Sequence, residues 1–371
     1  MKKNNYIEPL TWLRGIAALF VIFSHSLRAS NVSYSAGDTP ADVGVFRALD
    51  LGDMGVTLFF VLSGLTLYLS NGAIATARDA MGFYIKRFLR IWPAFAVALL
   101  AYIAFNTYFK TQYHGPENYW IGQHVRPFSI EDIVRYLTLV FNFTGPTGLF
   151  SGALWTLPVE FQYYLAFPVA LWLAAKFGPV ALVVLSGVYL ALGNFAFIPQ
   201  SGQSMFQMAY SFFGGIFIGI TMQNRQFRVH WLLTVCVSIM LITLVSLVQN
   251  KWVQLPDLPF IRSDRNLLIL SSLAIVLLLF KSDFSMTPGW ARRILKKYGD
   301  ISYSTYLFHQ LFVGATVLLF IKFNITGNIK PWLVLGVTVG GTYFVASWSY
   351  RYIERPCMEY ARGLVAKKAA V

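Results

Sequence analysis

The strongest constraint in this chain is a recurrence: stretches of mostly apolar residues, long enough to cross a bilayer, separated by polar connections. Ten such runs occur, at 11–29, 54–72, 88–108, 154–175, 179–197, 205–222, 230–249, 266–281, 302–322 and 332–351. A helix rises about 1.5 Å per residue, so about twenty residues cross a hydrocarbon layer about 30 Å thick. Runs of this length satisfy their backbone polar groups in such a layer only as helices. The expected fold is an all-α polytopic membrane protein, a bundle of about ten transmembrane helices. Composition agrees, because 12% of residues are charged where a soluble domain carries about 25%. An eleventh stretch, Ile133 to Phe143, is too short to span and is broken by Arg135 and Asn142. It reads as a half-helix lying on or dipping into the membrane. Residues 1–371 are expected to form one transmembrane domain with no fused soluble domain.

The net charge of +14 invites a nucleic-acid reading, but the basic residues are scattered between apolar runs and read as topology determinants. Placing successive connections on alternate sides puts 20 of the 30 Lys and Arg on the side of both termini, among them Lys2, Lys3, Arg14, Arg87, Arg90, Lys367 and Lys368. The other 10 include Arg28, Arg47, Arg135, Arg262 and Lys330. The positive-inside rule then makes both termini cytoplasmic. No small-residue cleavage site follows the first run, so it reads as a retained helix. The longer outer connections, about 30–53, 109–153 and 250–265, combine acidic residues such as Asp38, Asp50 and Asp257 with Tyr113, Tyr119, Trp120 and Trp252. Sugar sites often use that mixture, although an interfacial aromatic belt accounts for any single ring. Cys236 and Cys357 form no disulfide framework, and the histidines at 25, 114, 124, 230 and 309 lack metal-ligand spacing within a helix, so no metal is expected.

Ionisable residues inside apolar runs are costly and default to functional candidates. Arg14 and His25 are eleven residues apart in the first run, so they share a helical face with an axial offset of ~16 Å. A snorkelling arginine and a structural histidine are the plain alternative. Arg87 and Arg90, three apart at the start of the third run, present two guanidinium forks on one face, a geometry suited to phosphate oxygens. Anchoring or lipid headgroup contact is the competing reading for that pair taken alone. Glu160, near Trp155 at the start of the fourth run, has no basic neighbour in its own helix. Its expected partner is His25 or one of the arginines, and a carboxylate that orients an imidazole suits general-base work. Ser302, Tyr306 and His309 share a face of the ninth run, either as a polar seam between helices or as a substrate-facing stripe; the seam is preferred. Gly55, Ser63 and Gly64 are small positions expected to let the second run approach the first. Glu354-Arg355 reads as a structural pair at a helix stop. A secondary transporter, or a non-catalytic glycan- or lipid-translocating protein, is the alternative class. A transporter should show broken helices in matching halves, which this sequence lacks.

Taken together, these segments resemble the acyltransferase 3 family of membrane-bound O-acyltransferases, which includes the bacterial O-antigen and peptidoglycan O-acetylases. The resemblance runs from Leu10 to about Pro356. It rests on Arg14 followed after ten residues by His25, FFVLSG at 59–64 and RFLR at 87–90. Leu154-Trp155 with Glu160, ISYSTYLFH at 301–309 and Glu354-Arg355-Pro356 add support. It implies acyl transfer from acyl-CoA, usually acetyl-CoA, to a hydroxyl of an extracytoplasmic glycan, in the cytoplasmic (inner) membrane of a bacterium. The family's Arg–His motif lands on Arg14 and His25 and its arginine pair on Arg87 and Arg90. The CoA phosphates would rest on those arginines, with His25 as base or transient acyl carrier and Glu160 orienting it. The implied partners are the bilayer, a lipid-linked or envelope glycan and, outside, a possible partner enzyme. Pro158 departs from the family pattern, where relatives often carry a small polar residue, and it bears on the local shape near Glu160.

Overall fold

The computed structural model describes residues 8–34, 38–44, 46, 50–72, 74–115, 117–193, 205–256, 263–285 and 287–369. Lys2, Lys3, Arg47, Asp257 and Arg262 lie outside the described residues, as do the side chains of Tyr119, Lys367 and Lys368.

Most of the described residues are helical. Helices α1 (Glu8–Ser30), α2 (Gly52–Asn71) and α3 (Ala77–Gln112) come first. Three short helices follow, α4 (Tyr119–Val125), α5 (Ile130–Leu137) and α6 (Phe141–Thr144). Next are α7 (Thr156–Phe177), α8 (Val180–Leu192), α9 (Ala209–Met222), α10 (Trp231–Gln249) and α11 (Ser263–Lys281). The amphipathic α12 (Gly289–Asp300) leads to α13 (Ser302–Phe323), α14 (Lys330–Ser349) and, through a π-helical turn at Tyr350–Glu354, α15 (Arg355–Ala369). A two-residue parallel pairing of Val229–His230 with Ser282–Asp283 ties the connections before α10 and after α11.

Among the described residues, seven helices are long and apolar enough to cross a membrane. They meet the runs expected at 11–29, 54–72, 88–108, 205–222, 230–249, 302–322 and 332–351. Helices α7, α8 and α11 occupy the other three. The 13 residues of α8 rise only about 20 Å, and the end of its run lies outside the described residues. The expected half-helix begins at Ile130 with a Ser129–Asp132 capping box and breaks at Leu139, which adopts a left-handed φ of 57°.

Helix α1 is the hub, packed by α2, α12, α13 and α14. Gly15 lies against the backbone of Tyr298 and Gly299, and a Cβ on Gly299 would overlap the Thr11 carbonyl, so chains cross there backbone to backbone. Gly55 meets α1 as expected, at Ala17 and Val21. Gly64 instead abuts Phe212 and Ile216 of α9, and Gly215 returns the contact at Val61. Glu354 and Arg355 do not pair with each other. Ser304 bonds buried Glu354 and also Ser349, while Arg355 pairs with Glu359 at 2.8 Å.

The Arg14 end of α1, the start of α3 and the helix α15 share one end of the bundle. At the other end, Lys330 is fully buried and reaches both Asp38 oxygens at 2.6 Å, with the Val32 carbonyl at 3.2 Å. That pair pins the α1–α2 connection to the start of α14. Asn118 caps α4 over the same end, and His124, also buried, reaches Asn106 of α3 at 2.7 Å.

Candidate active site

Three features line up along the bundle. The first is a basic cavity of about 470 Å³ at the Arg14 end, walled by Arg14, Lys86, Arg87, Arg90, Arg362 and Tyr350 among others. Helix α3 places Lys86, Arg87 and Arg90 there because its capping box, Thr76 with Asp79, starts the helix three turns before them. Arg14 donates to Thr66 at 2.9 Å. Arg87 lies over the rings of Phe83 and Tyr164, each 5.6 Å away, and its buried Nε has no hydrogen-bond partner among the described residues. Arg90 contacts only a soft acceptor, the Met358 sulfur at 3.3 Å, among its described hydrogen bonds. A buried guanidinium donor without an acceptor is costly in an empty site, and an anionic ligand relieves that cost.

The second feature is a neck. A void of about 60 Å³ shares Arg14 and Arg90 with the basic cavity and continues inward past Phe59, Ser63, Glu160, Tyr303 and Tyr306. Its polar side chains are largely tied down. Tyr306 donates to the Ala153 carbonyl at 2.9 Å, accepts from Thr156 at 3.0 Å, and Ser302 donates to the Gly299 carbonyl at 2.8 Å. Glu160 sits here and accepts from Tyr164 and from Ser63. Pro158 falls in the first turn of α7, where its missing N–H costs nothing, so the helix carrying Glu160 is regular. Trp155, immediately before α7, packs on the main apolar core rather than in either cavity wall.

The third feature is a pair of imidazoles beyond the neck. The Tyr306 ring is 5.6 Å from that of His309, and His309 Nε2 is 2.7 Å from His25 Nδ1. The Trp120 ring of α4 stands edge-on to His25 at 5.8 Å, and Gln310 reaches His25 Nδ1 at 2.9 Å. Hydrogen positions follow from the acceptors. His309 Nδ1 lies 2.7 Å from the Tyr306 carbonyl, which can only accept, so Nδ1 carries hydrogen. With both rings neutral, His309 Nε2 accepts from His25 Nδ1–H, and His25 Nε2 becomes the basic nitrogen. Turning the Gln310 amide over lets Oε1, which lacks a partner among the described residues, accept from the same N–H.

Arg14, Arg87 and Arg90 therefore come together as expected, and Ser302 and Tyr306 line the neck while His309 stands behind Tyr306 on the same helix, bonded to His25. The expected contact between Glu160 and His25 is absent from their described hydrogen bonds: the imidazole bonds His309 and Gln310, the carboxylate Tyr164 and Ser63. Sequence reasoning had no claim on Tyr164, Gln310, Lys86 or Arg362 as site residues, and it offered Trp120 only as one ring of an outer aromatic set. The one available signal was local, since Gln310 adjoins His309 on the stripe. No metal-binding cluster of His, Cys, Asp or Glu occurs among the described residues.

Residues 7–351 match the family described as "Acyltransferase domain" (acyltransferase 3). The chain is 27% identical to Nodulation protein 10 of Rhizobium leguminosarum bv. viciae, over 97% of this chain and 95% of that protein. It is 29% identical to Acyltransferase MdmB of Streptomyces mycarofaciens over 44% of this chain and 38% of that protein. No solved structure matches significantly.

Proposed function

This chain belongs to the acyltransferase 3 family of membrane proteins, and we propose that it moves an acyl group, acetyl in the first instance, from cytosolic acyl-CoA to a hydroxyl of an extracytoplasmic glycan or glycolipid. The observation that carries this reading is the order of basic cavity, neck and imidazole pair along the bundle, the last two joined by the Tyr306–His309 ring contact. A donor with a polyanionic head, a slender arm and a reactive tip fits that order. Its phosphates would rest on Arg14, Arg87 and Arg90, and its arm would pass Glu160 and Tyr306. The thioester would arrive at His25, ~16 Å along α1 from Arg14.

In the direct route His25 Nε2 takes the proton of the acceptor hydroxyl as its oxygen bonds the thioester carbon. The tetrahedral intermediate then expels the thiolate, which recovers that proton from His25, so ester and free thiol are the products. In the covalent route Nε2 itself attacks the thioester carbon and expels the thiolate; the acceptor hydroxyl then displaces the imidazole and its proton passes to the thiolate, so ester and free thiol again result. His309 is a positioning residue in both, holding the tautomer that leaves Nε2 basic. Glu160 acts in the neck, shaping the donor path through Tyr164 and Ser63. The reading includes ten spans and a half-helix in a bacterial cytoplasmic membrane, both termini inside; both similar proteins are bacterial. An outer partner enzyme is a further possible acceptor.

The test is turnover of labelled acetyl-CoA by protein in nanodiscs. His25→Ala should lose at least about 10²-fold in kcat with donor affinity kept. Arg87→Ala with Arg90→Ala should raise the donor KM at least about tenfold. Full turnover by His25→Ala would overturn the mechanism.

A further inference from the structure

The basic cavity holds more positive charge than the reading above uses. Arg90 touches Met358 at 3.3 Å, and a Cβ on Gly82 would meet Val365 at 3.0 Å, so α3 and α15 run antiparallel in a fixed register. Between those two rungs, one turn from Arg90 and one turn from Met358, the same register sets Lys86 opposite Arg362. Both line the basic cavity. Like charges opposed across a helix seam repel, and the carboxylates around them are engaged elsewhere. Asp300 pairs with Lys296 at 2.8 Å, Glu359 pairs with Arg355 at 2.8 Å, and Asp79 caps α3 through Thr76. Neither Lys86 nor Arg362 has a hydrogen bond or ion pair among the described residues. Consecutive helical positions diverge by about 100°, so Lys86 and Arg87 address different parts of the cavity. A neighbouring cavity of about 430 Å³ shares Ser70, Asn71 and Lys86 with the first, leaving room for a bulky group beside the lysine.

We propose that Lys86 and Arg362 form a second anion subsite, which takes the 3′-phosphate of the donor's ribose while the inner arginines take its diphosphate. The proposal rests on the acyl-CoA reading. Arg362 lies beyond residue 351, where the family match ends, so this subsite draws on a helix outside the matched domain.

The experiment compares acetyl-CoA with 3′-dephospho-acetyl-CoA on the full chain in phosphatidylcholine nanodiscs. Wild type should show a KM about tenfold or more higher for the dephospho donor. Arg362→Gln and Lys86→Gln should each raise the acetyl-CoA KM towards that value and leave the dephospho KM in place, while Arg362→Lys should keep most of the discrimination. Equal KM for both donors in wild type, or variants that weaken both donors alike, would overturn the subsite and leave the acyl-CoA reading standing. Turnover of neither donor would remove that reading, and the subsite with it. A repeat with anionic lipid assigns the pair to a headgroup, and overturns the proposal, if the lipid and not the 3′-phosphate moves the KM.

Discussion

At the scale of single residues, the decisive contact is the 2.7 Å approach of His309 Nε2 to His25 Nδ1. It fixes which nitrogen of His25 is basic, and mis-set tautomers cost serine hydrolases up to about 10⁴ in rate. His309→Ala should therefore lower kcat about 10²-fold or more with little change in donor KM. His309→Gln, whose amide oxygen can still accept from His25, should recover part of the loss; equal loss in both variants would argue for a packing role. Glu160→Gln provides the contrast. Its carboxylate bonds Tyr164 and Ser63 in the neck, so this variant should act mainly on donor KM. A kcat collapse matching that of His309→Ala would restore Glu160 as the partner of His25. The stripe carrying Arg14 and His25 was legible in sequence because helical spacing is local information. The partner was not, since His309 is 284 positions away and nothing in a single chain ranks Glu160 below it as a neighbour.

At the scale of elements, hydropathy located the seven long helices because each run carries its own signal. It missed α4, which sets Trp120 against His25, because α4 is seven residues held by tertiary bonds: Asn118 to the Ser33 carbonyl at 3.3 Å, the His124–Asn106 contact and the Gln123 bond to Gly152 at 2.7 Å. The break between α5 and α6 was likewise hidden, since it depends on the left-handed backbone of Leu139. The clearest element-scale prediction concerns the joint between the α1–α2 connection and α14. Lys330 and Asp38 are 0% and 3% exposed, and removing one member of such a pair strands a buried charge at a cost of about 3–5 kcal/mol. Lys330→Met should lower the thermal midpoint in detergent sharply, and adding Asp38→Leu should recover much of it. A single variant as stable as wild type would show that the joint carries no weight.

At the scale of the molecule, the bundle is polar in the sense of having two unlike ends. Arginines and α15 gather at one; Asp38, Lys330 and the short helix α4 gather at the other. An acyl donor that cannot permeate lipid should consequently be consumed only from the arginine end. Sealed proteoliposomes with known orientation test this: turnover should follow the fraction of molecules presenting that end to the added donor, and turnover independent of orientation would contradict it.

The narrowness of the neck has a further consequence, which is electrical. An enzyme open to water on both sides of a charged membrane would short-circuit it, and each elementary charge crossing 100 mV dissipates about 2.3 kcal/mol. Here the void inward of the basic cavity is only about 60 Å³, lined by Phe59, Phe60, Tyr303 and Tyr306 together with Glu160, and Arg14 and Arg90 line both it and the basic cavity. Fixed positive charge at a constriction turns back protons and metal cations. On the reading proposed above, the same side chains that would greet an anionic donor would also insulate the bilayer, and a neutral acyl group would cross without leaking current.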